Sequence, residues 1–376
     1  MRNNLSSQIT LTRVPEKYYK PENAYEYSLL TRFEKVRTHI YATMEEGAGE
    51  LARELATSIR ERQREGKQFV LAVPGGRSPY PIFRQLIRMH REEGLSLRNV
   101  VVFLIYEFYP LTNEAYSNMH LLREVFLDHV DIPKGNVYSP DGFIDKNDIY
   151  DFCRRYEQRI RECGGIDCML LGVGQAGTIG VNSAGTSVSS RTHLVLMDDT
   201  SRKESAQLFR SIDNVPAGVI TMGLGTLMEA AKVVLVAWGE NKSRIIRETI
   251  EAPASDAVPS TCLQHHPNAK VVIDLSAAGQ LTRISHPWLV TPCEWDNKLI
   301  RRAIVWLCAQ TDKPILKLTN KDYSEHGLGE LLALYGSAYN VNIRIFNDIQ
   351  HTITGWPGGK PNADDSNRPE RAKPYP

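Results

Sequence analysis

Short, wholly apolar runs stopped by glycine and proline constrain this chain more than any other feature. Gln68–Val73 reads QFVLAV and ends in Pro-Gly-Gly, and Asn99–Leu104 reads NVVVFL. Similar runs occupy Ile166–Leu171, Gly218–Met222, Val233–Trp238 and Lys270–Asp274. A strand with one face in water alternates polar and apolar residues, so unbroken apolar runs predict strands covered on both faces. The segments between them carry helical spacing. Met44, Ala48, Leu51, Leu55 and Ile59 recur every three or four residues. Ile82, Phe83, Leu86 and Ile87 form a second such face, with Pro79 and Pro81 near its first turn. Further helices are expected through Met119, Leu122, Phe126 and His129, and through Tyr150, Cys153, Tyr156 and Ile160. Alternating strands and helices predict an α/β fold around an open, mostly parallel sheet.

The pattern changes near residue 285. A helix is expected at Leu299–Cys308, a strand at Pro314–Leu318, a helix at Gly327–Leu334 and a strand at Val341–Phe346, which reads as a small C-terminal α/β appendage. The organisation expected is an N-terminal arm at 1–34, a main domain at 35–284, the appendage at 285–355 and a linker or tail at 356–376. That tail, WPGGKPNADDSNRPERAKPYP, has almost nothing to bury.

Charge and cysteine content remove whole classes of function. The 45 basic and 44 acidic residues leave a net charge of +1, so no global field draws in nucleic acid or a membrane, and any anion site must be local. No segment approaches the roughly 18 apolar residues of a membrane span. The first residues, MRNNLSSQITLTR, lack the apolar core of a secretory signal. The six cysteines show no metal spacing and suit a reducing, cytoplasmic setting. His265-His266 has no carboxylate or thiol at ligand spacing, so no metal and no cofactor is expected.

Ligands of open parallel sheets bind beyond the carboxyl ends of the strands. Three segments fall there. Pro74-Gly75-Gly76-Arg77-Ser78-Pro79 joins a strand to a helix; its glycines let backbone approach a phosphate, and a helix start supplies free N–H groups. A tight turn explains the same residues equally well. Ile105-Tyr106-Glu107-Phe108-Tyr109 follows the second strand. The uncharged loop Gly172–Ser183 follows Ile166–Leu171.

From about Phe69 to Pro267 the order of these segments resembles the glucosamine-6-phosphate isomerase/deaminase family. The matches include Gly76-x-Ser78-Pro79, Phe126-x-Asp128-His129-Val130-Asp131-Ile132-Pro133, Gly172-x-Gly174, Ser190-Arg191-Thr192, Thr221-x-Gly223-x-Gly225-Thr226-Leu227, Gly239-x-Asn241-Lys242 and Leu263-Gln264-x-His266-Pro267. Residues 285–368 resemble the extension of a long bacterial form, which leads there into a deacetylase-like domain; no such domain is expected within these 376 residues. The resemblance implies a phosphosugar isomerase/deaminase-like sheet of modified Rossmann type, a sugar phosphate as small-molecule partner, and a homo-oligomer. It implies phosphate binding by Gly75, Gly76, Ser78 and Lys242, with Arg77 as a departure that adds a charged donor or fills the pocket. The family reaction moves a proton between adjacent carbons and opens a sugar ring. The base position falls on Tyr106, the ring-opening histidine on Thr178, and its flanking carboxylates on Ala176 and Ser183; only Glu107 is unchanged. Threonine and alanine do not titrate near neutrality, and tyrosine titrates near 10. A catalytically impaired phosphosugar binder is therefore expected. The alternatives are an active enzyme using Glu107 as a relocated base, and a regulatory or scaffold subunit. If Tyr106 faces the pocket, Glu107 should face away and meet a basic residue in the core.

Overall fold

The computed structural model describes residues 14–354. The first part of the expected arm and the expected tail at 356–376 lie outside the described residues. Two compact units are present: residues 14–22 with 33–284, and residues 23–32 with 285–354.

The larger unit carries ten strands: β1 Arg37–Tyr41, β2 Phe69–Val73, β3 Val100–Leu104, β4 Tyr106–Tyr109, β5 Val137–Tyr138, β6 Cys168–Leu171, β7 His193–Leu196, β8 Gly218–Thr221, β9 Val233–Ala237 and β10 Ala269–Asp274. Seven form one sheet in the order β1-β10-β9-β6-β2-β3-β5, with parallel pairing throughout. Every residue of β2, β3, β6 and β9 is buried, as the unbroken apolar runs require. The helices Met44–Arg64 and Tyr80–Glu93 deliver the expected stripes, Leu51, Leu55 and Ile59 from one and Ile82, Phe83 and Leu86 from the other, to a common core. Phe83 stacks on Phe126 with ring centroids 4.6 Å apart. Thr43 caps the first helix by accepting from the Glu46 N–H, and Gly94, at φ +65°, ends the second. Chain order reverses between β2 and β6. On one side of β2 the next strands in sequence are added outward; on the other lies β6, which enters later. A crevice at the carboxyl ends belongs at that point.

Two expectations are corrected. Gly218–Met222 was expected in the parallel sheet, but β8 pairs antiparallel with β4 and β7 in a separate three-stranded sheet. An apolar run reports burial on both faces and carries no information about its partner strand. The appendage was expected to be α/β, yet the described residues of the smaller unit are helical: Ala24–Leu30, Asn297–Thr311, Asn320–Glu325, Gly329–Tyr335 and Ala338–Thr354. Pro314–Leu318 holds a short 3-10 turn at Ile315–Lys317. Val341–Phe346 alternates like a strand in sequence. The residues that reach the core are Ala338, Val341 and Ile345, with Ile349 against them, and that spacing is helical. Thr319 and Asp322 form a capping box at the start of Asn320–Glu325, and Lys313 pairs with Asp322 at 2.7 Å.

An ion pair fastens the edge strand of the main sheet. Arg283 and Glu34 are 1% and 3% exposed at their side chains, with Nε 2.8 Å from Oε1. Arg283 Nη2 also donates to the Thr38 carbonyl of β1. Burial pushes the Glu34 carboxyl up to about 7, against the pull of Arg283. Arg283→Met is expected to cost about 3–5 kcal/mol at pH 8, because it strands a buried carboxylate. Glu34 is raised in the folded state, so its charged form is the penalised one. The deficit should shrink as pH falls from about 7 to below 5, where the carboxyl is protonated. Urea denaturation at both pH values checks this; a pH-independent deficit would show that the charge of Glu34 is not its source.

Candidate active site

The parallel ladder sets three loops and a turn side by side, after β2, β3, β6 and β9. The loop after β2 is built around its glycines. A Cβ on Gly75 would lie 2.2 Å from the Asn118 side chain, so only glycine fits there. Among the described residues, no hydrogen bond occupies the N–H groups of Gly75, Gly76, Arg77 or Ser78. They form an open cradle where the helix Tyr80–Glu93 begins. The Ser78 carbonyl is held by Trp238 Nε1 at 2.8 Å, and Ser78 Oγ lies 2.9 Å from where a Cβ on Gly172 would be. The Tyr106 hydroxyl lies 3.6 Å from the corresponding point on Gly76. Lys242, in the turn after β9, donates to the Val173 carbonyl at 2.9 Å, one residue from the Gly172–Ser78 contact. Arg77 is exposed, and its guanidinium makes no hydrogen bond or ion pair among the described residues.

The register β4–β8, with Tyr106 opposite Thr221 and Glu107 opposite Ile220, turns alternate side chains to opposite faces. Tyr106 and Phe108 take one face, their rings edge-on at 6.3 Å. Burial, with the Glu107 charge second, pushes the Tyr106 hydroxyl well above its ordinary range. Glu107 faces the other way and is 1% exposed. Among the described residues it meets no basic side chain, contrary to expectation. Its Oε1 accepts from the N–H groups of Phe108 and Asn118, both at 2.9 Å, and its Oε2 from Ser117 Oγ at 2.8 Å and the Met119 N–H at 3.1 Å. The carboxylate therefore caps the helix Asn118–Val125 from below. Burial raises its pKa, and the four donors pull it back.

The loop after β6 folds in on itself. Thr178 is buried, and its Oγ1 lies 2.2 Å from where a Cβ on Gly174 would be. The Gly174 N–H donates to the Thr178 carbonyl at 2.9 Å. Ala176 sits exposed at the tip. Ser183 donates to Asp198 Oδ2 at 3.0 Å. Burial raises the Asp198 pKa, but donors from Ser201 and Ser183 outweigh it and hold the carboxyl below its ordinary range. Asn182, fully buried, ties the loop to β8 through the Met222 carbonyl at 2.9 Å, and Val181 is forced to φ +60°, an uncommon conformation for a β-branched residue.

One carboxylate on this rim was not legible in the sequence. Glu204, on the helix Asp199–Ser205, lies 3.4 Å from Lys242 Nζ and accepts from the Gln175 N–H at 3.2 Å. Its Oε2 is 3.3 Å from the Cβ point of Gly174, on the side where Thr178 sits. The segment DTSRKES carries no apolar periodicity to announce a helix. His266 Nε2 meets the Ala230 carbonyl at 2.8 Å, and its Nδ1 accepts from the Asn268 N–H; among the described residues no group of three or more His, Cys, Asp or Glu is arranged to hold a metal ion. Among the described residues, no helix is long and apolar enough to cross a membrane.

Residues 42–273 match the family model described as glucosamine-6-phosphate isomerases/6-phosphogluconolactonase. A glucosamine-6-phosphate deaminase-like protein of Bacteroides thetaiotaomicron is 61% identical over the whole of this chain; the chain spans 57% of that relative's length. The glucosamine-6-phosphate deaminase of Bacillus velezensis is 36% identical over 61% of this chain and 95% of its own. A solved monomeric glucosamine-6-phosphate deaminase is 33% identical, with TM-score 0.61 over 65% of this chain and 99% of its own. The 6-phosphogluconolactonase of Trypanosoma brucei, at 20% identity and TM-score 0.54 over 66% of this chain and 99% of its own, shares the fold.

Glu107→Gln places an amide N–H₂ against backbone N–H donors in a buried site. It is expected to lower stability by about 2 kcal/mol, the scale of an unmatched buried hydrogen-bonding group. Chemical denaturation measures this; a variant as stable as the parent would remove the capping role.

Proposed function

The chain belongs to the glucosamine-6-phosphate isomerase/6-phosphogluconolactonase family, and we propose that it binds a phosphosugar, with an amino-sugar phosphate first among the class, in a site that has lost proton-transfer catalysis. The observation that carries this reading is a free N–H cradle at Gly75–Ser78 with the Tyr106 hydroxyl beside it; the family resemblance sets Tyr106 and Thr178 at the two proton-transfer positions. The cradle, Ser78 and Lys242 supply what a phosphate needs: donors, a helix start and a charge. Tyr106 is held protonated by burial, and Thr178 does not titrate. General acid–base catalysis contributes roughly 10²–10⁴ per group, so the absence of both removes several orders of magnitude. Glu107 does not serve as a replacement base in this reading, since both of its oxygens are taken by the four donors that cap the helix Asn118–Val125.

One observation favours a second reading. Glu204 brings a carboxylate to the loop position vacated by the histidine. A slow deaminase would then use Glu204 as its acid. We also propose a homo-oligomer, for which light scattering at micromolar concentration is the check.

Glucosamine-6-phosphate is expected to raise the melting temperature, and Lys242→Ala to abolish the shift. Ammonia release by the unmodified chain should stay far below ordinary turnover. A rate of about 1 s⁻¹ or more would refute the impaired reading; loss of that rate in Glu204→Gln would establish the second. Restoration needs Tyr106→Asp and Thr178→His. Adding Ser183→Glu requires Asp198→Asn as well, because Ser183 Oγ lies 3.0 Å from the Asp198 carboxylate and two charges there would repel.

A further inference from the structure

A second cationic site lies at the other end of the sheet. A groove of about 670 Å³ opens between β1, β10, the helix Met44–Arg64 and the segment Leu263–Asn268. Its cations gather at the amino-terminal ends of the strands. Arg37 opens β1 and stands in register with Lys270 of β10, and Lys232 immediately precedes β9. Lys35 and Arg53 complete the lining, against only two carboxylates, Glu50 and Glu54. The chain as a whole is nearly neutral, so this excess is local.

The pairing inside the groove is uneven. Glu54 alone holds both Lys232 and Lys270, whose side chains are 26% and 15% exposed. Glu50 is engaged by Arg53. Lys35 and Arg37 are exposed and form no ion pair among the described residues. His39 points into the groove from β1 with no hydrogen bond to either ring nitrogen among the described residues. Desolvating two ammonium groups against one carboxylate is unfavourable unless further negative charge completes the set.

We propose that this groove is a binding site for a small polyanion, a phosphate- or pyrophosphate-bearing molecule, held by Lys35, Arg37, Lys232 and Lys270 with His39 as an additional donor. The volume lies within the roughly 300–1,000 Å³ typical of small-ligand pockets. The site is separate from the glycine loops, which lie at the carboxyl ends of the same strands, and it stands whether or not the proposed function is correct. His39 supplies an internal reporter. Burial, then Lys270 and Arg37, with Arg283 adding, hold its pKa down at about 4, and Glu54 is the opposing charge. An anion between Arg37 and Lys270 would cancel part of that cationic field and raise it.

The test uses the full chain carrying Arg77→Ala and Lys242→Ala, which removes both side-chain cations of the glycine-loop site, with inorganic pyrophosphate as probe. The histidine resonances are followed by NMR over pH 3–8, with His39 identified by its loss in His39→Gln. Saturating pyrophosphate should raise the His39 pKa by about one unit, a tenfold change in its protonation constant. Lys35→Gln/Arg37→Gln, both at exposed positions, should weaken pyrophosphate binding at least tenfold by calorimetry without lowering the melting temperature. Unchanged affinity in that double variant would overturn the proposal. So would an equal His39 shift with sodium chloride at matched ionic strength, or tighter binding of a single-stranded oligonucleotide than of pyrophosphate.

Discussion

The parallel ladder β10-β9-β6-β2-β3 is the constraint on which everything else rests. Its inner strands are covered on both faces, so each strand has to be apolar along its whole length, and polar chemistry can appear only where a strand ends. The pairing Val73↔Leu104 and Leu171↔Leu235 brings neighbouring strands to their carboxyl ends near one level. The loops that begin there, at Pro74, Ile105, Gly172 and Trp238, meet without any loop having to be long. The same ladder gathers Arg37, Lys270 and Lys232 at the opposite ends. One sheet thus creates two rims, and the sequence decorates each with different groups.

Glu107 shows how a buried carboxylate next to a candidate site can be explained by structure alone. A buried carboxylate with four donors is a substantial structural element, because each N–H it satisfies would otherwise be buried without a partner. It orders the start of Asn118–Val125, and Asn118 in turn packs against Gly75, in the glycine loop after β2. The identity of residue 106 bears on none of this, since the side chains of Tyr106 and Glu107 face opposite sides of β4. The cap and the groups on the other face of β4 are physically independent.

Legibility in the sequence followed the same division. The six apolar runs located six strands, because complete burial leaves an unambiguous mark. β1, reading RTHIY, and β7, reading HLVL, escaped notice because half-buried strands carry polar residues that break the run. The partner of β8 and the helical character of Val341–Phe346 were set by tertiary packing: Ile343 alternates with Val341 and Ile345 in sequence, yet the core takes Ala338, Val341 and Ile345. For the candidate site, the family resemblance pointed to Gly75, Gly76, Ser78, Tyr106, Thr178 and Lys242, each of which follows a legible strand. Asn118, Asp198 and Glu204 could not. Each acts across a distance in sequence of roughly ten to forty residues, and no local spacing encodes such a contact.

The charge arrangement of the rim makes sense of two departures together. Lys242 is neutralised by Glu204 at 3.4 Å, which taken alone would weaken any hold on phosphate. Arg77, at a position where the family usually has a small residue, stands exposed and unpaired among the described residues. Lys242, Arg77 and Glu204 together leave one net positive charge, the same as a lone lysine would supply. The cation that remains free lies on the cradle loop, beside the open N–H groups of Gly75 to Ser78, and guanidinium offers a bidentate fork where ammonium offers a point charge. Glu204 thereby adds a carboxylate beside the cradle while the three groups keep one net positive charge. That balance depends on the loops after β2, β6 and β9 adjoining, and the switch between β2 and β6 sets them side by side.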